Sequence, residues 1–192
     1  MRHDTYETAQ MLIDSTIKVI ARDGFDKAST RNITGECGLA DAYIYHCFND
    51  KEDLFHQAFK QKDKALAEKV LQHLPILSRD DAEVKTRFAL LFDLFWRFML
   101  DAPDTCRFYV QYYFSPYYQK LSAEEHQSTW QPVLDKVTPL FKDPADVKPS
   151  MRLVLNNTTG LAIKKLTLGT PGSETETYFP MVYSLLAPYL KE

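Results

Sequence analysis

The sequence predicts an all-α protein, and two observations predict it. Apolar residues recur at intervals of three and four along nearly the whole chain, and no segment alternates as a strand would. Apolar residues make up 45% and aromatic residues 13% of the 192 residues, which is enough for a substantial core. We expect a three-helix helix-turn-helix unit in residues 1–56 and a larger helical domain in residues 57–192, with about nine helices in all.

The first four helices have recognisable ends. An apolar stripe predicts the first helix. Ser29 or Thr30 can cap the second, which stops at Gly38, where a positive φ is expected. Asp41 can head the third, and the fourth runs up to a proline. These helices are predicted to cover about residues 5–23, 30–36, 40–47 and 51–73.

The later helices are longer and more apolar. Pro103 can open one of them, because proline is tolerated in the first turn. Ser122 followed by Glu125 is a capping-box signature for another, which Pro132 and Pro139 should kink or shorten. These helices are predicted to cover about residues 82–101, 103–114, 122–141, 147–169 and 173–190.

Charge and cysteine content exclude several classes of protein. The net charge of −3 gives no overall basic field, and three cysteines without a CxxC pair do not indicate a disulfide framework. The N-terminus has no apolar signal core, and no apolar run approaches the roughly 18 residues of a membrane span. We therefore expect a soluble, cytoplasmic protein.

Residues 30–48 have the pattern of a helix-turn-helix. Apolar residues on two short helices, among them Ile33 and Ile44, can lock the helices across a turn that contains Gly38. A simple helical hairpin with partly buried aromatic residues is the open alternative. In the helix-turn-helix, the exposed face of the second helix consists of Asp41, Ala42, Tyr43, Tyr45 and His46.

Several short runs within residues 8–55 together form a more specific pattern. These runs are Asp23-Gly24-Phe25, Ser29-Thr30-Arg31-Asn32-Ile33, Cys37-Gly38-Leu39, Ile44-Tyr45-His46-Cys47-Phe48 and Asn49-Asp50-Lys51-Glu52-Asp53-Leu54. As a set, they resemble the DNA-binding domain of the TetR family of transcriptional repressors. The resemblance implies a homodimer that binds a palindromic operator and is released by a small-molecule ligand held in the larger helical domain.

The resemblance also implies roles for individual residues. Ser29 and Thr30 fall where the family touches a backbone phosphate, and Arg31 falls where a side chain reaches a base edge. Tyr45 and His46 fall on the recognition helix. Lys51 falls on a phosphate-clamping lysine. The predicted DNA-binding set is Ser29, Thr30, Arg31, Asp41, Ala42, Tyr43, Tyr45, His46 and Lys51.

The chain departs from the family at the start of the recognition helix. Asp41 either accepts a hydrogen bond from a cytosine amino group or is only a helix cap that faces water. Residues 1–56 contain six Lys or Arg and ten Asp or Glu, a net charge of −4, which predicts weak non-specific DNA binding. The alternative function is therefore a partner-binding module derived from a helix-turn-helix, with lost or weak operator binding.

Aromatic residues are unusually frequent between residues 88 and 118, and Trp130 and His126 follow. We expect an apolar or aromatic ligand to bind among these side chains. Ordinary core packing is the alternative for any one of these residues. The predicted ligand-binding residues are Phe92, Phe95, Trp96, Met99, Phe108, Tyr109, Tyr112, Tyr113 and Trp130.

The last two helices carry apolar stripes that predict a dimer interface built as a four-helix bundle. The alternative is that both helices complete the core of one protomer. The predicted interface residues are Met151, Val154, Leu155, Thr158, Leu161, Ala162, Phe179, Val182 and Leu186.

Motifs of catalysis are missing from the sequence. The five histidines form no metal-ligand spacing, and no Gly-rich phosphate loop or nucleophile elbow is present. We therefore expect no enzyme activity, no metal and no cofactor.

Overall fold

The protein is described here by a computed structural model that covers residues 5–78, 82–169 and 174–191. Within these residues it contains nine α-helices and no strand, so the predicted all-α class is confirmed. The helices are α1 (Thr5–Asp23), α2 (Thr30–Cys37), α3 (Ala42–Cys47), α4 (Lys51–His73), α5 (Val84–Asp101), α6 (Pro103–Tyr113), α7 (Ala123–Val137), α8 (Val147–Leu168) and α9 (Glu174–Ser184).

The largest departures from the predicted bounds lie at the ends of α7 and α9. A π-helical segment, Tyr118–Ser122, precedes α7, and a short 3-10 turn, Thr138–Leu140, follows it. The expected capping box at Ser122 is wrong, because this hydroxyl is buried and bonded to His56 and Tyr112 instead. The predicted last helix began at residue 173, which lies outside the described residues, and α9 ends at Ser184.

The chain forms two compact units. One joins the residues up to Lys64 with Asp104–Gln127, and the other joins Ala65–Pro103 with the residues from Ser128 onward. The predicted division into functional domains at residues 56 and 57 stays a prediction. In the described residues, no helix is long and apolar enough to cross a membrane.

In the first unit, α1 packs on both α2 and α3. These helices bury apolar side chains completely: Leu12 and Ile20 from α1, Ile33 from α2, and Ile44 from α3. Burying four such side chains stabilises the three-helix unit by several kcal/mol, at about 1.5–3 kcal/mol each. This core fixes the positions of the two short helices.

In the second unit, α5 packs on both α8 and α9. Its stripe buries Phe88, Phe92, Trp96 and Met99, as the spacing predicts. A pair of backbone hydrogen bonds closes the end of this unit: Lys142 N–H donates to the Tyr189 carbonyl at 2.8 Å, and Lys191 N–H donates to the Leu140 carbonyl at 2.9 Å.

Candidate DNA-binding surface and effector clusters

Helix α2 has well-defined caps at both ends. Ser29 is the N-cap, because its Oγ accepts a hydrogen bond from the Asn32 backbone N–H at 3.1 Å. Gly38 ends the helix with φ of 70°, in the left-handed region that favours glycine. Both positions agree with the sequence prediction. Thr30 is then the first residue of the helix, and Arg31 beside it is exposed.

Helix α3 has one buried face and one face that is exposed to solvent. Ile44 is fully buried against the rest of the three-helix unit. Because Ile44 faces inward, the α3 outer face, defined as Ala42, Tyr43, Tyr45 and His46, is exposed to solvent as predicted. Exposed tyrosines combine apolar surface with a hydroxyl that can donate to a phosphate or a base edge.

Asp41 is held by a contact that the sequence did not reveal. The Thr34 hydroxyl, buried within α2, donates to Asp41 Oδ1 at 2.5 Å. Asp41 stands at the N-cap position of α3, as predicted, but its side chain makes no cap hydrogen bond to this helix. Its backbone is already in the right-handed helical region, whereas a capping residue is normally extended. Asp41 therefore ties the start of α3 to α2.

Other acidic side chains of this region are also engaged. Glu36 accepts from Arg22 at 3.1 Å, and Glu52 accepts from Lys120 at 2.6 Å. Asp50 Oδ1 accepts from the Asp53 backbone N–H at 2.8 Å, which caps the start of α4. Arg22 is already counted in the net charge of −4, whereas Lys120 lies outside residues 1–56 and adds a positive charge beside Glu52.

Lys51 lies at the start of α4, directly after the turn that follows α3. Its ammonium nitrogen is 5.5 Å from the centroid of the Phe55 ring, and the residue is half-buried. The stem is thus packed while the charge can reach outward. A cation at this position is available for a phosphate close to the α3 outer face.

The predicted ligand-binding residues are divided between the two compact units. Phe108, Tyr109, Tyr112 and Tyr113 belong to the first unit. Phe92, Phe95, Trp96, Met99 and Trp130 belong to the second.

In the first unit, aromatic side chains of α6 pack on α4. The Phe59 ring stacks on Tyr112 with centroids 4.5 Å apart, and it lies 5.0 Å from Tyr109. The Tyr112 hydroxyl is 2.8 Å from Ser122 Oγ. Burial raises the pKa of Tyr112 to about 12, although this hydrogen bond acts in the opposite direction.

A buried carboxylate lies in the same cluster. Asp63 Oδ1 accepts from the Tyr109 hydroxyl at 2.7 Å, and His126 Nδ1 lies 3.0 Å from both carboxylate oxygens. Burial raises the pKa of Tyr109 well above its usual value, and the charge of Asp63 raises it further. The sequence pattern indicated His126 but not Asp63. The sequence feature that could have revealed Asp63 is its position: it is a charged residue on the apolar stripe of α4, four residues after Phe59.

In the second unit, the aromatic cluster lies between α5 and α9. Phe92 stacks on Trp96 with centroids 5.7 Å apart, and it lies 5.7 Å from Phe179. Trp96 also lies 5.6 Å from Tyr178. Phe95 and Trp130 are half-buried, whereas Phe92, Trp96 and Met99 are buried.

A surface groove of about 520 Å³ lies elsewhere in the second unit. Four basic side chains line it, namely Lys85, Arg87, Lys142 and Lys191. None of the predicted ligand-binding residues lines this groove. In the part of the chain that the structure describes, no group of three or more His, Cys, Asp or Glu side chains could hold a metal ion.

The predicted interface residues fall into two groups. Met151, Val154, Leu155 and Leu161 are half-buried on α8. The other five are buried within the protomer: Thr158, Ala162, Phe179, Val182 and Leu186. These five therefore have little surface left to offer to a second copy.

Comparison with known proteins identifies the class of the N-terminal region. Residues 12–58 match the family model of bacterial regulatory proteins, tetR family. The resemblance predicted from the sequence is thus confirmed for these residues. They contain α2, α3 and all of the α3 outer face.

Individual relatives extend the comparison. The nicotine-responsive transcriptional repressor HdnoR of Paenarthrobacter nicotinovorans is 32% identical over 100 residues, which cover 52% of this chain and 50% of that protein. The fatty acid metabolism regulator protein of Bacillus subtilis is 30% identical over 80 residues, 42% of this chain and 39% of that protein. The chain thus matches half or less of the length of these curated relatives.

The fold of the whole chain also has solved counterparts. A TetR family transcription regulator from Marinobacter aquaeolei VT8 superimposes with a TM-score of 0.77 over 94% of this chain and 95% of that chain. The two sequences are 19% identical, so this similarity establishes the fold alone.

Proposed function

We propose that this chain is a ligand-responsive transcriptional repressor that binds a palindromic DNA operator as a homodimer in the cytoplasm. The α3 outer face carries the proposal: two exposed tyrosines and a histidine on a short helix, within a segment that matches tetR-family regulators. Each protomer places α3 in a major groove, with half-sites about one helical turn or more apart.

The residues around α3 supply the phosphate contacts. Ser29 caps α2, so its hydroxyl and the adjacent backbone N–H groups suit an anion. Lys51 adds a cation at the start of α4, and the exposed Arg31 can form paired hydrogen bonds with a guanine. These roles follow from position and exposure.

The partner-binding alternative relied on the net charge of the region and on Asp41. In the structure Asp41 accepts from Thr34, and Glu36 pairs with Arg22. Both carboxylates therefore have partners within the protein. These contacts give both residues a role in holding the helix-turn-helix together, and that role is compatible with operator binding.

The effector of this repressor is a small apolar or aromatic molecule. Two clusters of aromatic side chains, one in each compact unit, favour such a ligand. The relative from Paenarthrobacter is described as nicotine-responsive, and nicotine is an aromatic heterocycle. Binding of the effector releases the DNA because it favours a different arrangement of the two recognition helices.

Selection from random DNA duplexes with the purified chain tests the proposal. We expect an enriched palindrome, and the affinity for it should fall with salt in proportion to the phosphates contacted. Tyr45→Ala should abolish this specific binding. Tyr6→Ala is the matched control, since Tyr6 on α1 is 75% exposed and Tyr45 is 63% exposed. A folded protein that enriches no sequence would contradict the proposal and return the partner-binding alternative.

Arg31→Ala separates base contacts from phosphate contacts on the selected operator. If Arg31 reads a base, its loss should cost on the order of 1–3 kcal/mol and relax the preference at one base pair. Arg152→Ala, an exposed arginine on α8, is the control. An equal loss on every sequence would instead mark Arg31 as a phosphate contact.

A further inference from the structure

A desolvated carboxylate lies inside the first compact unit. Asp63 is only 2% exposed, although charged residues are rarely buried so completely without a positive partner. Its oxygens accept from the Tyr109 hydroxyl at 2.7 Å and lie 3.0 Å from His126 Nδ1. His126 is the partner in this group that can carry a positive charge.

Aromatic rings surround the imidazole of His126. The Tyr113 and Tyr118 rings lie edge-to-face with it, each with centroids 5.5 Å from its own. The Phe59 ring lies 6.1 Å away on α4. Tyr113 and Tyr118 also contact each other, with centroids 4.6 Å apart. We call these three rings, together with Asp63, the aromatic enclosure.

The aromatic enclosure has the composition of a cation site. The faces of aromatic rings attract a cation within about 6 Å, most strongly where water is excluded, and a carboxylate supplies the countercharge. A buried aspartate would not stabilise a purely apolar ligand. The imidazole of His126 lies among these rings and against the carboxylate of Asp63.

We propose that the aromatic enclosure binds the cationic group of an aromatic amine effector, which displaces the His126 imidazole from Asp63. The effector role rests on the repressor function proposed above, and the inference names the chemical class of its ligand. Neutral apolar molecules would leave the contact between Asp63 and His126 in place.

Position and charge make His126 the group that leaves. Its side chain is 10% exposed, whereas that of Asp63 is 3% exposed, so His126 lies closer to solvent. A primary alkylammonium carries its positive charge throughout the neutral pH range, so its charge is permanent under these conditions. A permanent cation therefore competes well for the desolvated carboxylate.

Displacement of His126 connects the ligand to the DNA-binding region. Asp63 lies on α4, which begins directly after the turn that follows α3, and His126 lies in the first turn of α7. Two further contacts join the same helices, since Glu125 contacts His56 at 3.3 Å and Lys60 at 2.6 Å. A ligand that separates α7 from Asp63 changes one of the contacts that position α4.

Calorimetric titration of the full chain with two matched probes tests the site. The probes are 2-phenylethylammonium and 2-phenylethanol, which share one skeleton and differ in charge. We expect the ammonium to bind at least tenfold more tightly. Asp63→Asn should remove that preference, whereas Asp93→Asn should keep it, because Asp93 pairs with Arg97 and Thr175 in the other unit. Equal affinities for the two probes, or binding of neither, would overturn the proposal.

A second variant tests the proposal even if the Asp63→Asn protein does not fold. His126→Gln removes the internal competitor for Asp63, so the affinity for the ammonium should rise several-fold. Unfolding cannot mimic a gain of affinity. A decrease would overturn the proposal, because His126 would then be part of the ligand's own binding site.

The two proposals can fail independently. DNA selection needs no ligand, and the calorimetric titration needs no DNA. Release of the selected operator by 2-phenylethylammonium, and not by 2-phenylethanol, connects them. A preference for the ammonium in a protein that selects no operator would leave the cation site intact and remove the repressor function.

Discussion

Single residues of the helix-turn-helix have roles that only their contacts reveal. From the sequence, Asp41 is an acidic residue at the start of a recognition helix, and two interpretations remain open. The 2.5 Å hydrogen bond from Thr34 adds a third, in which Asp41 positions α3 against α2. The bond needs an acceptor at residue 41 and does not need a charge.

We expect Asp41→Asn to keep the palindrome selected by the wild-type protein, because the amide oxygen can still accept from Thr34. Loss of the negative charge should strengthen non-specific DNA binding about two- to threefold, on the order of 0.5 kcal/mol for an exposed charge. Fluorescence anisotropy with specific and random duplexes measures both affinities. Glu36→Gln, which removes a neighbouring charge, should give a similar non-specific gain. A changed preference at one base pair would assign Asp41 to base reading.

The sequence predicted exposure better than it predicted partners. Alternation between inward and outward positions on a helix follows from periodicity, so the exposure of Tyr45 and His46 could be predicted. The partner of Asp63 could not be predicted. His126 is 63 residues away along the chain, and only the packing of α7 against α4 brings the two side chains together.

At the scale of elements, Gly35 within α2 and Gly38 just after it differ in whether a side chain could replace the glycine hydrogen. Gly38 has φ of 70°, a conformation that an L-residue with a side chain adopts only with strain. Gly35 lies within the helix, and a Cβ added there would meet nothing within 4 Å. One glycine is required by the backbone, and the other is not.

Gly38→Ala should lower the free energy of unfolding by about 1 kcal/mol, because of the positive φ. Gly35→Ala should raise it by about 0.5–1 kcal/mol, because alanine is the better helix former. Urea denaturation followed by circular dichroism measures both changes. If both substitutions shifted stability in the same direction, the turn between α2 and α3 would not have the described conformation.

The existence and order of the nine helices in the described part of the chain followed from periodicity and from capping residues. The predicted start of α7 was wrong because a tertiary contact replaced the local capping contact that the sequence suggested. Ser122 has the sequence of an N-cap, but His56 and Tyr112 bind its hydroxyl, and the residue is the last of a π-helical segment. Such contacts come from distant residues and leave no local pattern.

At the scale of the whole molecule, buried tyrosines should make the protein sensitive to alkali. Burial raises the pKa of Tyr112 to about 12 from its usual value near 10, and burial likewise raises the pKa of Tyr118. Their contribution to stability is complete below about pH 10, where tyrosine is neutral in the unfolded chain as well. It is lost as the pH rises from there to about 12, because only the unfolded chain then ionises.

We therefore expect the free energy of unfolding to fall steeply between about pH 10 and pH 12. Urea titrations at several pH values measure it, and tyrosinate absorbance follows the ionisation. Tyr112→Phe should flatten this dependence because it removes one titrating group. Tyr45→Phe is the control, since Tyr45 is exposed. An unchanged slope in Tyr112→Phe would show that this hydroxyl ionises equally well in the folded protein.

Assembly is the last property that belongs to the whole molecule. The inward side of α9, with Phe179 and Val182, is buried within the protomer, and so is Leu186 just after the helix. Its opposite side presents Met181, which is 62% exposed. On α8, Leu153 and Gly160 are exposed, and a glycine with open space around it permits close approach of another helix. A homodimer built on α8 and α9 must therefore use these outer faces.

We expect Met181→Glu to weaken the dimer at least tenfold, about 1.4 kcal/mol, because a carboxylate would be buried in an apolar interface. Sedimentation velocity over a range of protein concentrations measures the change. Leu90→Glu is the matched control, since Leu90 is 49% exposed on α5 and lies outside the proposed face. Met181→Glu should also weaken operator binding, because a palindrome needs two recognition helices held at a fixed spacing. If Leu90→Glu dissociated the dimer and Met181→Glu did not, the interface would lie on α5 instead.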